Sequence, residues 1–312
     1  MKYAPDPTAG QLAALRDELA PGGEVRVERR ILGGLGCTMD VLAISGAGIT
    51  RERVILRRYG PWFTEHQPRV AEIEFAVLGH LNRHGVPAPE PLWIDRQEVF
   101  PELASIIGFI DARGLSRPDD PIDFVSQLAR MLARLHAVPL AGLPDDLSDF
   151  NASEVARFSA TSPPPHIKSH RLGSRLWASQ RGEVERIELD DRVFLHGDYW
   201  PGNSLWKQQN LVAIVDFEEV GVGDPALDVA TAAINFDYEI WPGAADRFVE
   251  VYRSETGRAL DSLRFWKLKE LSRPMPDIAR WLPSFEEFSS RPKVTAEELR
   301  ADHERLILDL VD

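Results

Sequence analysis

The chain has 312 residues, 44% of them hydrophobic and 27% charged, which is a globular composition with length enough for two sizeable domains or lobes. Its formal net charge is −13, of which −2 falls on residues 1–110 and −11 on the remainder; so acidic a second half would repel nucleic acid and anionic membranes and tolerate or attract a cationic ligand, and it reads equally well as ordinary solubility charge. The apolar runs are far short of a membrane span, Met1-Lys2-Tyr3-Ala4-Pro5-Asp6 lacks the apolar core of a signal peptide, and the single cysteine, Cys37, rules out an internal disulfide framework, so the expected location is the cytoplasm.

Thr8 to Ala20 reads as a short amphipathic helix, with Thr8 as N-cap and Leu12, Leu15 and Leu19 at helical spacing. Residues Glu24 to Ile44 are β-rich on both sides of Gly33-Gly34-Leu35-Gly36. Strand, glycine-rich turn and strand make the shape of a phosphate-covering flap, because glycines let backbone N–H groups approach a triphosphate. The run lacks the full G-x-G-x-x-G pattern, and glycine pairs also make ordinary hairpins.

A further strand runs from Thr50 to Tyr59 and carries Arg57 and Arg58 near its end. The helix predicted from Arg69 to His84 holds two acidic residues. Val70, Val77 and Leu78 lie at −4, +3 and +4 from Glu74, so Glu74 points into the apolar stripe and needs a partner, whereas Glu72 lies toward solvent. Gly85 and the prolines at 87, 89 and 91 end that helix. Two strands follow, around Leu92-Trp93-Ile94 and from Leu103 to Ile110.

Asp123 to Val138 is a strong helical pattern, with Phe124, Leu128, Met131, Leu132 and Leu135 on one face. His136, near its end, reads as structural. Helices are expected around Ser153–Ser159 and Leu172–Leu189, with a loop at Ser162-Pro163-Pro164-Pro165 between them. After Ala230 the pattern is mostly helical, with Trp241, Trp266 and Trp281 spread through it, more as core than as a ligand box.

The chemistry concentrates between Val193 and Ala230. An apolar run, Val193-Phe194-Leu195, delivers His196-Gly197-Asp198, and Asn203 follows five positions after Asp198. A second apolar run, Leu211 to Val215, delivers Asp216-Phe217. Polar turns alone would explain one such group, since Asp, Asn, Gly and Pro favour turns. Two in series, each with the right residue type at the right offset, are the parts for phosphoryl transfer from a nucleotide: a base for the substrate hydroxyl and two oxygen ligands for Mg²⁺.

The His196-Gly197-Asp198-x-x-x-x-Asn203 motif and the tail Gly223-Asp224-Pro225-x-x-Asp228-x-Ala230 resemble the signature of the aminoglycoside phosphotransferase and choline kinase-like family. The likeness is tight over 193–230 only. It implies an α+β, protein kinase-like bilobal fold. Residues 1–110 would form a small nucleotide-binding lobe with an antiparallel sheet and one helix. Residues 111–312 would form a larger, mostly helical catalytic and substrate-binding lobe.

The family likeness also implies the site. Asp198 would be the catalytic base and His196 would brace its loop, while Asn203 and Asp216 would hold Mg²⁺. Arg57, at the position of the family's phosphate-binding cation, would be fixed by Glu74, with Arg58 the other candidate. Gly33, Gly34 and Gly36 would cover the phosphates, and Gly108, Phe109 and Ile110 would meet the adenine at the hinge between lobes. Asp224 would cap the helix starting at Pro225, and Asp228 would support the catalytic loop from behind.

The activity so implied is transfer of phosphate from ATP, with GTP the alternative donor, to a hydroxyl of a small molecule, cationic as in an aminoglycoside-type antibiotic. The competing acceptors are choline, homoserine or a sugar in a metabolic role. Two other classes compete: a nucleotide-binding protein without transfer activity, and a metal-dependent phosphohydrolase, which would want more histidines than His196.

Overall fold

In a computed structural model of the chain, residues 4–31, 36–96, 98–158, 162–184, 191–239, 243–283, 285, 291 and 293–311 are described below. The chain divides into two compact units, Met1–Asp111 and Ala112–Asp312.

The first unit is built on a five-stranded antiparallel sheet of order β1-β2-β3-β5-β4, with β1 Glu24–Ile31, β2 Cys37–Ser45, β3 Arg53–Tyr59, β4 Pro91–Ile94 and β5 Ala104–Gly108. Helix α1 (Ala9–Leu19) begins at Thr8 in a reciprocal capping box with Gln11. Its Leu15 is fully buried with Val25, Leu42, Ile44, Val54, Leu56, Ala104 and Ile106, which make the core on one face of the sheet. On the other face Cys37 and Tyr59 pack with Phe63 of α2 (Pro61–His66) and with Val70 and Ala71 of α3 (Val70–Arg83).

Side chains alternate across a strand, so this division of the core decides where the charges of β3 go. Val54 and Leu56 share a face with Arg58, and Arg57 shares the opposite face with Tyr59, toward α3. The sheet thereby sends two adjacent arginines to different neighbours.

The second unit is mostly helical. Helix α4 (Pro121–His136) is capped by the Asp120 carboxylate and buries the expected stripe of Phe124, Leu128, Met131, Leu132 and Leu135. It packs against α9 (Ala244–Thr256), which in turn packs on α8 (Ala226–Glu239), and α8 packs on α10 (Leu263–Ser272). Trp266 of α10 is fully buried, as a core tryptophan should be, and Trp241 lies outside the described residues. The expected helix pair between 150 and 190 forms as α5 (Phe150–Phe158) and α7 (Gly173–Val184), with the short helix α6 (Pro165–Lys168) between them.

Three very short strands, β6 (Ser148–Asp149), β7 (Val193–Leu195) and β10 (Gly221–Gly223), form one sheet of order β6-β10-β7. Beside it stands the hairpin β8 (Ser204–Lys207) and β9 (Asn210–Ile214). These pieces frame the loop that carries the motif. Among the described residues no helix is long and apolar enough to cross a membrane.

Candidate active site

In the first unit Arg57 Nη1 lies 3.2 Å from Glu74 Oε1, with side-chain exposures of 4% and 2%. The helical phase that turned Glu74 inward therefore has its structural counterpart. Tyr59 Oη donates to the other Glu74 oxygen, and Arg57 Nη2 sits 3.7 Å from Cys37 Sγ. Burial, with the Glu74 carboxylate beside it, raises the Tyr59 phenol well above its usual range, so it stays a neutral donor.

Arg58 is engaged on the other face by Asp40 at 2.7 Å, Glu102 at 3.2 Å and the Pro5 carbonyl at 2.7 Å. Glu72 is exposed and pairs with Arg69 at 2.9 Å. Arg57 and Glu74 thus form a buried ion pair on the face toward α3, and Arg58 belongs to a separate cluster on the opposite face.

The other first-unit candidates are less informative. Gly33 and Gly34 lie outside the described residues, whereas the Gly36 carbonyl accepts from the Gly60 amide at 2.9 Å. Gly108 ends β5 and its amide donates to the Glu90 carbonyl at 2.8 Å. Phe109 and Ile110 follow in a half-buried, irregular segment, with the Arg53 guanidinium 4.7 Å from the Phe109 ring centre.

In the second unit the motif closes into one network. Strand β7 ends at Leu195, and Gly197 turns the chain with φ +82°, a conformation that favours glycine. A Cβ there would also fall 2.0 Å from the Glu219 carbonyl oxygen, so this position admits no side chain.

Asp228 of α8 is fully buried and accepts from the His196 amide at 2.8 Å, the Gly197 amide at 2.9 Å and His136 Nε2 at 3.1 Å. It fixes the backbone of the turn from below. Asp224 accepts from the Ala226 amide at 2.8 Å and from the Ser262 hydroxyl, which caps the helix one residue later than expected.

His196 is fully buried and its Nε2–H donates to the Val215 carbonyl at 3.0 Å. That bond sets the tautomer, and Nδ1 then accepts from the Asp198 amide at 3.3 Å. Val215 N–H donates in turn to the Asn203 carbonyl at 3.0 Å. Asn203 Nδ2 donates to the Asp198 backbone oxygen at 2.9 Å and to its carboxylate Oδ2 at 3.1 Å. Asp216, one residue past Val215, holds φ +70°, a strained backbone for a residue with a side chain. Asp198 and Asn203 are thereby linked through His196 and Val215, with Asp216 the next residue along the chain.

The hard oxygens of Asp216 and of the Asn203 carboxamide suit Mg²⁺, which keeps several waters and needs few protein ligands. Both hydrogen bonds of the Asn203 side chain use its nitrogen, so its carboxamide oxygen could accept from a cation. Among the described residues no group of three or more His, Cys, Asp or Glu side chains gathers as a metal cluster.

One neighbour of Asp198 is absent from the motif. Arg273, just after α10, places Nη1 3.1 Å from Asp198 Oδ1 and 3.2 Å from Glu270 Oε2, and Nη2 3.0 Å from Glu219 Oε2. Burial works against its charge, but Glu270, Glu219 and Asp198 outweigh it and hold the guanidinium protonated. No sequence spacing signals Arg273, which stands 75 positions from Asp198 and meets it only through the packing of α10 on α8.

A two-unit α+β fold with this loop defines a kinase-like phosphotransferase scaffold. The chain belongs to the phosphotransferase enzyme family, whose model matches residues 42–266. Homoserine kinase of Cupriavidus metallidurans is 28% identical over 180 residues, 57% of this chain and 50% of that protein. This chain spans about half the length of the curated relatives it matches.

Among solved structures, the choline kinase LicA from Streptococcus pneumoniae aligns with a TM-score of 0.61 at 15% identity, covering 96% of this chain and 98% of that one. A thermostable aminoglycoside phosphotransferase APH(4)-Ia, solved with ADP and hygromycin B, aligns with a TM-score of 0.59 at 15% identity, covering 95% and 97%. At these identities the structural matches establish the fold.

Proposed function

We propose that this chain transfers the γ-phosphoryl group of ATP to a hydroxyl of a small molecule. The observation that carries the reading is the junction of Asp198 with Asn203 at 3.1 Å, with the Asn203 carbonyl bonded to the amide of Val215, the residue before Asp216. A base and two magnesium-type ligands are thereby held on one rigid frame, the arrangement that phosphoryl transfer needs.

Asp198 accepts the proton of the acceptor hydroxyl as its oxygen bonds to the γ-phosphorus and the bond to the β-phosphate oxygen breaks, releasing ADP. Asn203 and Asp216 would hold Mg²⁺, which would supply charge neutralisation on the phosphates. In the first unit Arg57, kept in place by Glu74 and Tyr59, binds the α/β-phosphates. Gly33, Gly34 and Gly36 cover the phosphates, and the backbone of Gly108, Phe109 and Ile110 meets the base of the nucleotide. His196 holds the loop and takes no part in proton transfer, because both its ring nitrogens are committed to the backbone.

The relatives' names supply the acceptor range: homoserine, choline and hygromycin B all carry hydroxyl groups. The test is ATP consumption, compared with GTP, across a panel of such hydroxyl compounds, with the product identified by a mass gain of one phosphate. Transfer to a panel member supports the reading. Nucleotide binding without transfer to any of them overturns it.

A further inference from the structure

In phosphoryl transfer little covalent chemistry falls to the protein, and the work left to a base is largely to hold the hydroxyl in line with the phosphorus. That asks for a carboxylate whose plane is set before the acceptor arrives.

The catalytic loop supplies one side of this. Its Asn203 Nδ2 donates to Asp198 Oδ2 at 3.1 Å. The four residues between them, Tyr199-Trp200-Pro201-Gly202, include no cation, and the Tyr199 hydroxyl is committed to the Leu128 carbonyl at 2.8 Å. A carboxylate with one donor can swing about that contact. The donor to the second oxygen comes from outside the loop: Arg273 Nη1 lies 3.1 Å from Asp198 Oδ1.

Arg273 is itself held at both ends. It closes α10, where its amide donates to the Glu270 carbonyl at 3.1 Å and its own carbonyl accepts from the Arg280 guanidinium. The negative end of that helix suits a cation. Farther out, Nη1 is shared with the Glu270 carboxylate, which is 5% exposed and also paired with Lys269, and Nη2 meets Glu219. The rotamer freedom of this long side chain is therefore lost on folding and not during the reaction.

Helix α10 packs on α8, and α8 carries Asp228, which binds the His196 and Gly197 amides. One helix pair thus fixes the backbone of the loop through Asp228 and the carboxylate of the base through Arg273. Arg273 and Asp198 remain 24% and 30% exposed, so the base keeps an open side for an acceptor.

We infer that Arg273 is a positioning residue for the base: it holds Asp198 Oδ1 from outside the catalytic loop and so fixes where the acceptor hydroxyl is received. The inference rests on the kinase reading and adds to it a residue that the motif does not contain.

The test compares the full chain with Arg273→Ala, Arg273→Lys and Asp198→Asn, each supplied with ATP, Mg²⁺ and L-homoserine, choline or hygromycin B. For an acceptor that the parent phosphorylates, Arg273→Ala should lower kcat by about 100-fold, the scale of a misplacement near one ångström, while the Kd for ATP from nucleotide titration stays within a few-fold of the parent. Millimolar guanidinium should restore part of the lost kcat in Arg273→Ala and none in Asp198→Asn, a response that a merely structural role would not give. Arg273→Lys keeps a charge for Glu270, but a point charge cannot fork between two carboxylates. It should melt like the parent and still lose kcat several-fold, and it decides the matter if Arg273→Ala does not fold. Parent-like kcat in the folded variants, or a loss in Arg273→Ala that guanidinium leaves unmoved, overturns the inference and leaves the kinase reading standing. A parent that phosphorylates none of the acceptors overturns the kinase reading and this inference with it.

Discussion

Each oxygen of the Asp198 carboxylate has its own donor, Asn203 Nδ2 on Oδ2 and Arg273 Nη1 on Oδ1. Two donors fix the plane of the group and leave its remaining lone pairs for a hydroxyl proton. Asp198→Asn keeps the shape and removes the basicity. The expected outcome is a kcat lower by about 10²-fold or more with ATP affinity nearly unchanged, read from steady-state kinetics and nucleotide titration. The first-unit pair makes a different kind of prediction. Removing either Arg57 or Glu74 strands a buried charge, at a loss of about 3–5 kcal/mol. Arg57→Ala and Glu74→Ala should each lower the denaturation midpoint and raise KM for ATP, and the double variant should lose much less than the sum. Strict additivity in both readouts would separate the two residues and would end the assignment of Arg57 as a supported phosphate ligand.

Elements rather than single contacts hold the second unit's end in place. The final helix, Ala296–Val311, buries His303, whose Nε2–H donates to the Leu271 carbonyl of α10 at 2.8 Å. Burial depresses the His303 pKa to about 4 from an ordinary 6.5. The folded protein therefore takes up its proton only well below the pH at which the unfolded chain does. Between those two values the unfolded state binds more protons, so stability is full above pH 6.5 and falls as the pH drops toward 4. The loss from this one group is on the order of 2 kcal/mol at pH 5. His303→Gln keeps an N–H donor without titrating. Melting curves at pH 7.5 and pH 5 should show a smaller acid-induced drop in Tm for the variant than for the parent; equal drops would remove His303 as the cause. Because α10 carries Glu270 and leads directly into Arg273, acid loosening at this helix pair should reach the charged cluster beside Asp198.

For the molecule as a whole, phosphoryl transfer should require a divalent cation. Excess EDTA should abolish turnover, Mg²⁺ or Mn²⁺ should restore it, and full activity in chelator would exclude Asn203 and Asp216 from metal binding. Much of this design was legible before any coordinates. Strands β1 to β5 and helices α1, α3 and α4 follow from periods of 2 and 3.6, and the motif spacing delivered Asp198, Asn203 and Asp216 to one network. Glu74 was legible because its neighbours at −4, +3 and +4 are apolar. The choice between Arg57 and Arg58 was harder: adjacent residues of one strand face opposite ways, and which way is inward toward α3 depends on where α1 and α3 pack. Strands β6 and β10, of two and three residues, are too short to show a period. Arg273 shows only an i, i+3 spacing to Glu270, which any solvated helical pair shares, and its other partners, Asp198 and Glu219, lie in two distant segments.

The placement of Cys37 has a practical consequence. It is the chain's only cysteine, it is 6% exposed, and it stands on β2 against the Arg57 guanidinium. A maleimide can reach that sulfur only when the packing of α2 and α3 over it opens, so the labelling rate of the unmodified protein is a clock for local opening of the first unit. The natural sequence thus comes with its own reporter. ATP held by Arg57 should slow the clock, and Glu74→Ala should speed it, each observed as one mass increment on the intact protein without any engineered label.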